Sequence, residues 1–318
     1  MKYSFTLVLL CAVLSVSAQN DSLTRHEISF QFDNDLLFFD AGDRYYTNGL
    51  FLTYRQVPRA NTWAYNPLRF NQLHKSLWSF SFVSKIYNPY NLKGEEEDEI
   101  DRPYAGLLYV ESDMVTFWGK NALSLGLDLG WMGSATHTGK VQYSLHQAFG
   151  WVRPRGWGEY QINNSPVVDA SASLQREWVH TAGFSMLSAI NLQLGSVRNA
   201  SDVGLMFRLG RQLEQHQSTL TYSRVGSSGK RTKKLQEIYF YSRTQISRVF
   251  YDATIEGNWI GENSPFVKEA VPWVVTQTVG LMLSGGKTDF HALWSVLGKE
   301  VYGGQRHKYG TLLISRRF

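Results

Sequence analysis

The chain has a single cysteine, Cys11, and only eight prolines in 318 residues. Cys11 lies inside an apolar N-terminal run, so everything beyond that run lacks a thiol. This excludes disulfides, a cysteine metal site and a cysteine nucleophile. Long hydrophobic runs are missing too: past the N-terminus no segment approaches the ~20 apolar residues that a helix needs to cross a bilayer. Charge of one sign is scarce. A net charge of +5 is a weak footprint for nucleic acid, and an exported protein meets anionic lipid headgroups first. The mean hydropathy of −0.27 has the value of a water-soluble protein, yet it is also what a wall with alternate residues facing lipid would show.

What is present points to export and to strands. Lys2, the apolar run Phe5 to Val16 and the small residues Ser15 to Ala18 predict a secretory signal over residues 1–18. Residues 19–318 are then expected to form one domain. Aromatics make up 14%, with 10 Trp and 17 Tyr, more than a soluble sandwich needs and typical of membrane-interface girdles. From Ala122 to Trp131, Leu123, Leu125, Leu127, Leu129 and Trp131 take one parity, and Ser124, Gly126, Asp128 and Gly130 the other. A period of two sends those sets to opposite faces of a strand.

The same alternation recurs along the chain in Glu27–Asp33, 46–55, Leu77–Ile86, Tyr104–Thr116, Val167–Val179, Phe184–Ser196, a segment holding Leu205, Phe207 and Leu209, then 235–256, Val274–Ser284, Phe290–Lys299 and Lys308–Phe318. The expected fold is therefore all-β: a transmembrane antiparallel β-barrel of about 12 strands with a short helix in an extracellular loop. Tight turns at Trp118–Asn121, His180–Gly183 and Gly285–Asp289 belong on the periplasmic side. The acidic loop Gly94–Asp101 and the insert Met132–Pro166 belong outside. Two long connections, 57–76 and 211–233, fall on the periplasmic side, and a hairpin hidden in either would change the strand count.

Some segments do not read as wall or plain turn. They are Asp33-Asn34-Asp35, then Asp43 to Gly49, and the stretch 141–150 that carries Gln142 and His146. Topology sends all of them to the extracellular rim. Taken singly each is ordinary: turn chemistry, an Asp43–Arg44 ion pair at the rim, a solvated Gln and His. Residues four apart share a helix face, so Gln142 and His146 project together. Val141, Leu145 and Phe149 mark another, apolar face that is expected to pack on the barrel. Histidine is suited to proton transfer near neutral pH. Asn34, Asp35 and Thr47 offer oxygens for a hard cation such as Ca²⁺, which can polarise an ester carbonyl. Ser144 beside His146 invites a serine-hydrolase reading, but residues i and i+2 of a helix point about 160° apart.

In order and spacing, Asn34-Asp35, Tyr46-Thr47-Asn48-Gly49, Ile86-Tyr87-Asn88-Pro89, Asp101-Arg102-Pro103-Tyr104, the Gln142/His146 pair and Gly156-Trp157 with Gln161 make the chain similar to the LpxR family of outer-membrane lipid A deacylases. The resemblance spans essentially all of residues 19–318. It implies a twelve-stranded barrel that hydrolyses the ester of the 3′-linked acyloxyacyl chain of lipid A with Ca²⁺ as cofactor. It implies His146, Gln142, Asn34, Asp35 and Thr47 as active-site residues. His146 would be the general base, Asn34 and Asp35 would lie at the metal, and Gln142 and Thr47 would position substrate or water. A monomer in contact with lipopolysaccharide and outer-membrane lipids is expected, with no nucleic acid. One departure is the acidic run Glu95 to Glu99 where some members carry lysines. A serine-type outer-membrane phospholipase, or a non-enzymatic barrel acting as a pore or surface-interaction protein, are the alternatives.

Overall fold

A computed structural model describes residues 24–38, 43–226 and 235–318. The segment expected to be an export signal lies outside the described residues. Twelve strands close into one antiparallel barrel in which each strand pairs with its sequence neighbours and the last pairs with the first. They are β1 (His26–Asn34), β2 (Tyr45–Gln56), β3 (Leu73–Asn88), β4 (Ala105–Trp118), β5 (Asn121–Met132), β6 (Ser165–His180), β7 (Phe184–Gly195), β8 (Arg198–Arg211), β9 (Leu235–Asp252), β10 (Trp273–Gly285), β11 (Thr288–Leu297) and β12 (His307–Arg317). Closure satisfies every edge, and the β1–β12 seam pairs Glu27 with Arg317 and Asn34 with Gly310.

Alternation of side chains sets the two faces of the wall. Leu125, Leu127, Leu129 and Trp131 on β5 point outward and are exposed, as are Ile190, Leu192 and Leu194 on β7 and Leu205, Phe207 and Leu209 on β8. So continuous an apolar belt is far larger than a water-facing surface tolerates. Among the described residues no helix is long and apolar enough to cross a membrane.

The interior is polar and cross-linked. Arg55 on β2 binds Glu27 on β1 at 3.0 Å, Arg317 on β12 reaches Glu27 at 3.7 Å and also pairs with Asp289, and Arg208 on β8 binds Glu177 on β6 at 2.5 Å. These charges are buried, so each depends on its partner.

Strand direction separates two mouths. Near the termini the links are the tight turns 119–120, 181–183 and 286–287 and the connections 57–72 and 212–234. Neither connection contains a strand among the described residues. Residues 212–226 instead fold into the lumen. Ser218 Oγ and the Thr219 N–H donate to Glu237 at 2.8 and 2.7 Å, the Gln215 N–H donates to Glu177 at 3.2 Å, and Arg55 stacks over the Tyr222 ring at 3.7 Å. β3 begins at Leu73, before the expected Leu77, because the β3–β4 ladder continues to Leu73 opposite Trp118, and Leu77 packs inward with Phe117, Ala122 and Val225.

The far mouth carries the long loops. One helix there, α1 (Thr138–Phe149), follows β5, and a single-turn helix, α2 (Ala253–Glu256), follows β9. The ninth strand therefore stops at Asp252, where its carboxylate accepts the Thr254 N–H at 2.9 Å and caps α2.

Candidate functional site

The expected site residues all belong to the far mouth, and α1 decides how they meet. The helix packs on β3 and β4. Its start is seated on β4 so closely that a Cβ at Gly106 would fall 1.7 Å from Thr138 Oγ1. Only glycine fits there. The buried face of α1 is Thr138, Gln142 and His146, one residue every four, whereas Val141, Leu145 and Phe149 are about half exposed. The expectation that the apolar face packs on the barrel is therefore reversed. The polar face lies on the rim, and the apolar stripe looks outward.

His146 is 3% exposed. Its Nδ1 makes a short hydrogen bond to the Val152 carbonyl. A carbonyl only accepts, so Nδ1 carries the proton, and Nε2 is the atom free to gain or lose one. That Nε2 lies 3.4 Å from Asp43 Oδ2. Trp151 packs edge-on against the imidazole at 5.6 Å. Gln142, one turn earlier, accepts the Trp157 indole N–H at 2.8 Å. Trp157 in turn leans on Tyr104 at 5.0 Å, and Gly156 leaves room for the Tyr104 ring, which a Cβ would approach to 2.6 Å.

β1 and β2 bring the oxygens. Asp35 follows β1 directly in a 3-10 turn, Asp35–Phe38. Thr47 sits at an irregularity of β2: Tyr46 pairs with Tyr87 and Asn48 with Ile86, leaving Thr47 as the extra residue. A bulge re-aims its side chain, and the Thr47 hydroxyl lies 2.9 Å from Asp43 Oδ1 and 3.3 Å from Asp35 Oδ2. Asp35 Oδ2 also accepts the Arg44 N–H at 2.8 Å, while its Oδ1 is buried with no partner among the described residues. Burial first, and the neighbouring charge of Asp43 second, push the Asp35 carboxyl up to about 8. Asn34 Oδ1 accepts the Leu36 N–H at 2.8 Å and so fixes the turn that follows β1.

Asp35, Thr47 and His146 are thus joined in one chain of contacts, with Asp43 as the link. Asp43 is not the rim ion-pair partner of Arg44, which stacks on Tyr90 at 4.1 Å. Reading the sequence passes over Asp43 as a site residue because its role depends on where α1 lands. The Asp101-Arg102 segment anchors loops: Asp101 accepts from Tyr45 and from the Tyr90 N–H at 2.5 and 2.8 Å, and Arg102 donates to Thr254 at 2.7 Å. Ser144 Oγ donates to the Lys140 carbonyl at 2.9 Å on the exposed side of α1, away from His146.

The oxygens fit a hard cation. Two carboxylates face one hydroxyl, and one of them keeps a buried oxygen without a donor among the described residues, which is unfavourable unless positive charge is brought to it. Asp35, Asp43 and Thr47 would hold such an ion. Among the described residues no group of three or more His, Cys, Asp or Glu side chains converges.

A closed barrel with an apolar outer wall and a buried histidine–carboxylate cluster at one rim defines a membrane-embedded barrel with a candidate site at that rim. A family model described as Outer membrane protein LpxR matches residues 5–318, and the chain belongs to that family. Its fold is similar to that of LpxR from Salmonella typhimurium, with a TM-score of 0.72 and 18% identity over 92% of this chain and 100% of that one. More distant barrels include the β domain of the Bordetella autotransporter BrkA, at TM-score 0.42 and 10% identity over 94% of this chain and 100% of that one. The KdgM porin is similar at TM-score 0.40 and 7% identity over 92% and 99%. No curated protein matches the chain.

Proposed function

We propose that this protein is an outer-membrane lipid A deacylase that hydrolyses the ester of the 3′-linked acyloxyacyl chain. Residues 1–18 would direct export, and the far mouth would open to the outer leaflet. The observation that carries the reading is the fixed tautomer of His146: Nδ1 is held by the Val152 carbonyl while Nε2 faces the Asp43–Thr47–Asp35 oxygens.

In the proposed reaction, Nε2 takes a proton from water as the oxygen attacks the ester carbonyl. The tetrahedral adduct then breaks at the bond to the 3′ oxygen, and the protonated Nε2 returns its proton to that leaving oxygen. A free acid and a 3′-hydroxyl result. Asp43 lies where it stabilises the imidazolium between those transfers. Gln142, oriented by Trp157, and Thr47 position substrate and water, and Asn34 shapes the turn that presents Asp35. When bound by Asp35, Asp43 and Thr47, Ca²⁺ would supply Lewis-acid stabilisation of the negative charge developing on the carbonyl oxygen.

The experiment is mass spectrometry of lipid A from cells expressing wild type, His146→Ala or Ser144→Ala. Wild type and Ser144→Ala should lose the acyloxyacyl mass, and His146→Ala should retain it. The opposite pattern of the two variants would support the serine-type phospholipase alternative, and an unchanged profile in all cells would support a non-enzymatic barrel.

A further inference from the structure

The rim holds a second feature that ester cleavage itself does not use. The outward stripe of α1, Val141, Leu145 and Phe149, continues into Trp151 and Val152, all of them close to half exposed. Phe149 and Trp151 stack at 5.0 Å, giving a continuous apolar ledge. Beside it opens a cleft of about 500 Å³ lined by Lys93, Tyr143, Val152, Arg153, Pro154 and Arg155.

The cleft is basic and structurally tied. The Arg155 N–H donates to the Leu92 carbonyl at 3.0 Å, joining its two walls. The Arg153 guanidinium lies 5.6 Å from the Tyr143 ring and 3.5 Å from its hydroxyl. Arg155 pairs with Glu95, but both side chains are mostly exposed, 59% and 61%, so that pair holds weakly and an incoming anion can compete for the guanidinium. Among the described residues neither Lys93 nor Arg153 has a carboxylate partner. Val152 both lines the cleft and, through its carbonyl, holds the His146 imidazole, so cleft and imidazole share a residue.

We propose that this cleft seats a phosphate monoester of an acylated glycolipid while the ledge of α1 lies along its acyl chains. The inference rests on the lipid A esterase reading and narrows its substrate to phosphorylated lipid. Charge selects the occupant: two guanidinium forks and an ammonium match a dianionic, three-oxygen group. The ledge distinguishes a lipid phosphate from a free one, because a soluble anion leaves that apolar surface unused.

The test uses the full chain in detergent micelles, comparing wild type with Lys93→Gln/Arg153→Gln, on lipid A and on enzymatically dephosphorylated lipid A. The double variant should raise KM for the phosphorylated lipid about tenfold with kcat unchanged, as loss of a charge-assisted contact predicts. On the dephosphorylated lipid the two proteins should coincide. Equal effects on both lipids, or none, would overturn the proposal. Binding of the same two lipids to His146→Ala, with and without the double substitution, is measured by quenching of Trp151 with brominated acyl chains, Trp151→Phe serving as blank. Phosphate-dependent binding that the double substitution removes supports the cleft even if wild type cleaves nothing, in which case the esterase reading alone fails. Binding indifferent to phosphate overturns the cleft even where hydrolysis is intact.

Discussion

Asp43 lies on the β1–β2 connection and His146 on α1, yet Oδ2 of the one lies 3.4 Å from Nε2 of the other. The contact joins the β1–β2 connection to the helix after β5, and it places the proton-accepting nitrogen against a carboxylate. Replacing Asp43 with Asn keeps the shape and removes the charge that stabilises the imidazolium. The kcat on lipid A in micelles should fall by about a hundredfold, with KM within a few-fold of wild type. An Asp43→Asn protein of full activity would remove this residue from the reaction.

The Gln142–Trp157 contact is a positioning device. Trp157→Phe keeps most of the ring against Tyr104 but leaves Gln142 Oε1 without its donor, at a cost of about 1–3 kcal/mol for a buried acceptor. The loss should appear first as reduced kcat with the barrel still folded, judged by its heat-dependent mobility on a denaturing gel. Unchanged kcat would mean that Gln142 is held by other contacts.

Chelation should abolish turnover, and Ca²⁺ should restore it better than Mg²⁺, since an irregular set of carboxylate and hydroxyl oxygens suits the larger ion. Asp35→Asn should weaken the restoration, seen as a rightward shift of the Ca²⁺ titration by at least about tenfold. Activity indifferent to chelator would leave the buried Asp35 oxygen to another cause.

The mouth near the chain termini carries its own pH response. His216, in the inward-folded segment, stacks on His74 at 3.9 Å. Burial, and then the proximity of His74, lower its pKa from the usual 6.5. The unfolded chain therefore binds the proton more readily, so stability rises with pH across that interval. It is fully present above about 6.5, is lost as pH falls towards the folded value, and levels off below it. The unfolding midpoint should fall between pH 7.5 and pH 5, and His216→Gln should flatten part of that slope. A variant with the wild-type slope would assign the response to other groups.

The wall was legible because a period of two, repeated in every strand, survives errors of a few residues at each end. The rim was legible only in part. Gln142 and His146 could be paired from helical spacing, but the side on which they pack was reversed, because apolar residues seek the barrel only where the surroundings are water. Asp43 could not be assigned from sequence: its role is set by the nearby Thr47 bulge together with Gly106, far along the chain, which lets α1 sit close. The filled lumen escaped too. Ser218, Thr219 and Tyr222 read as a polar loop, and only the buried Glu237 and Arg55 they meet show that the loop turns inward.

That inward turn has a consequence for the cell that carries the protein. A barrel of this girth with a vacant bore would pass small solutes. Here residues 212–226 turn into the bore, where Tyr222 lies under Arg55 and lines a cavity of about 290 Å³. Expression at high level is therefore expected to leave the uptake of hydrophilic antibiotics as it was, and faster uptake would show a continuous path through the barrel.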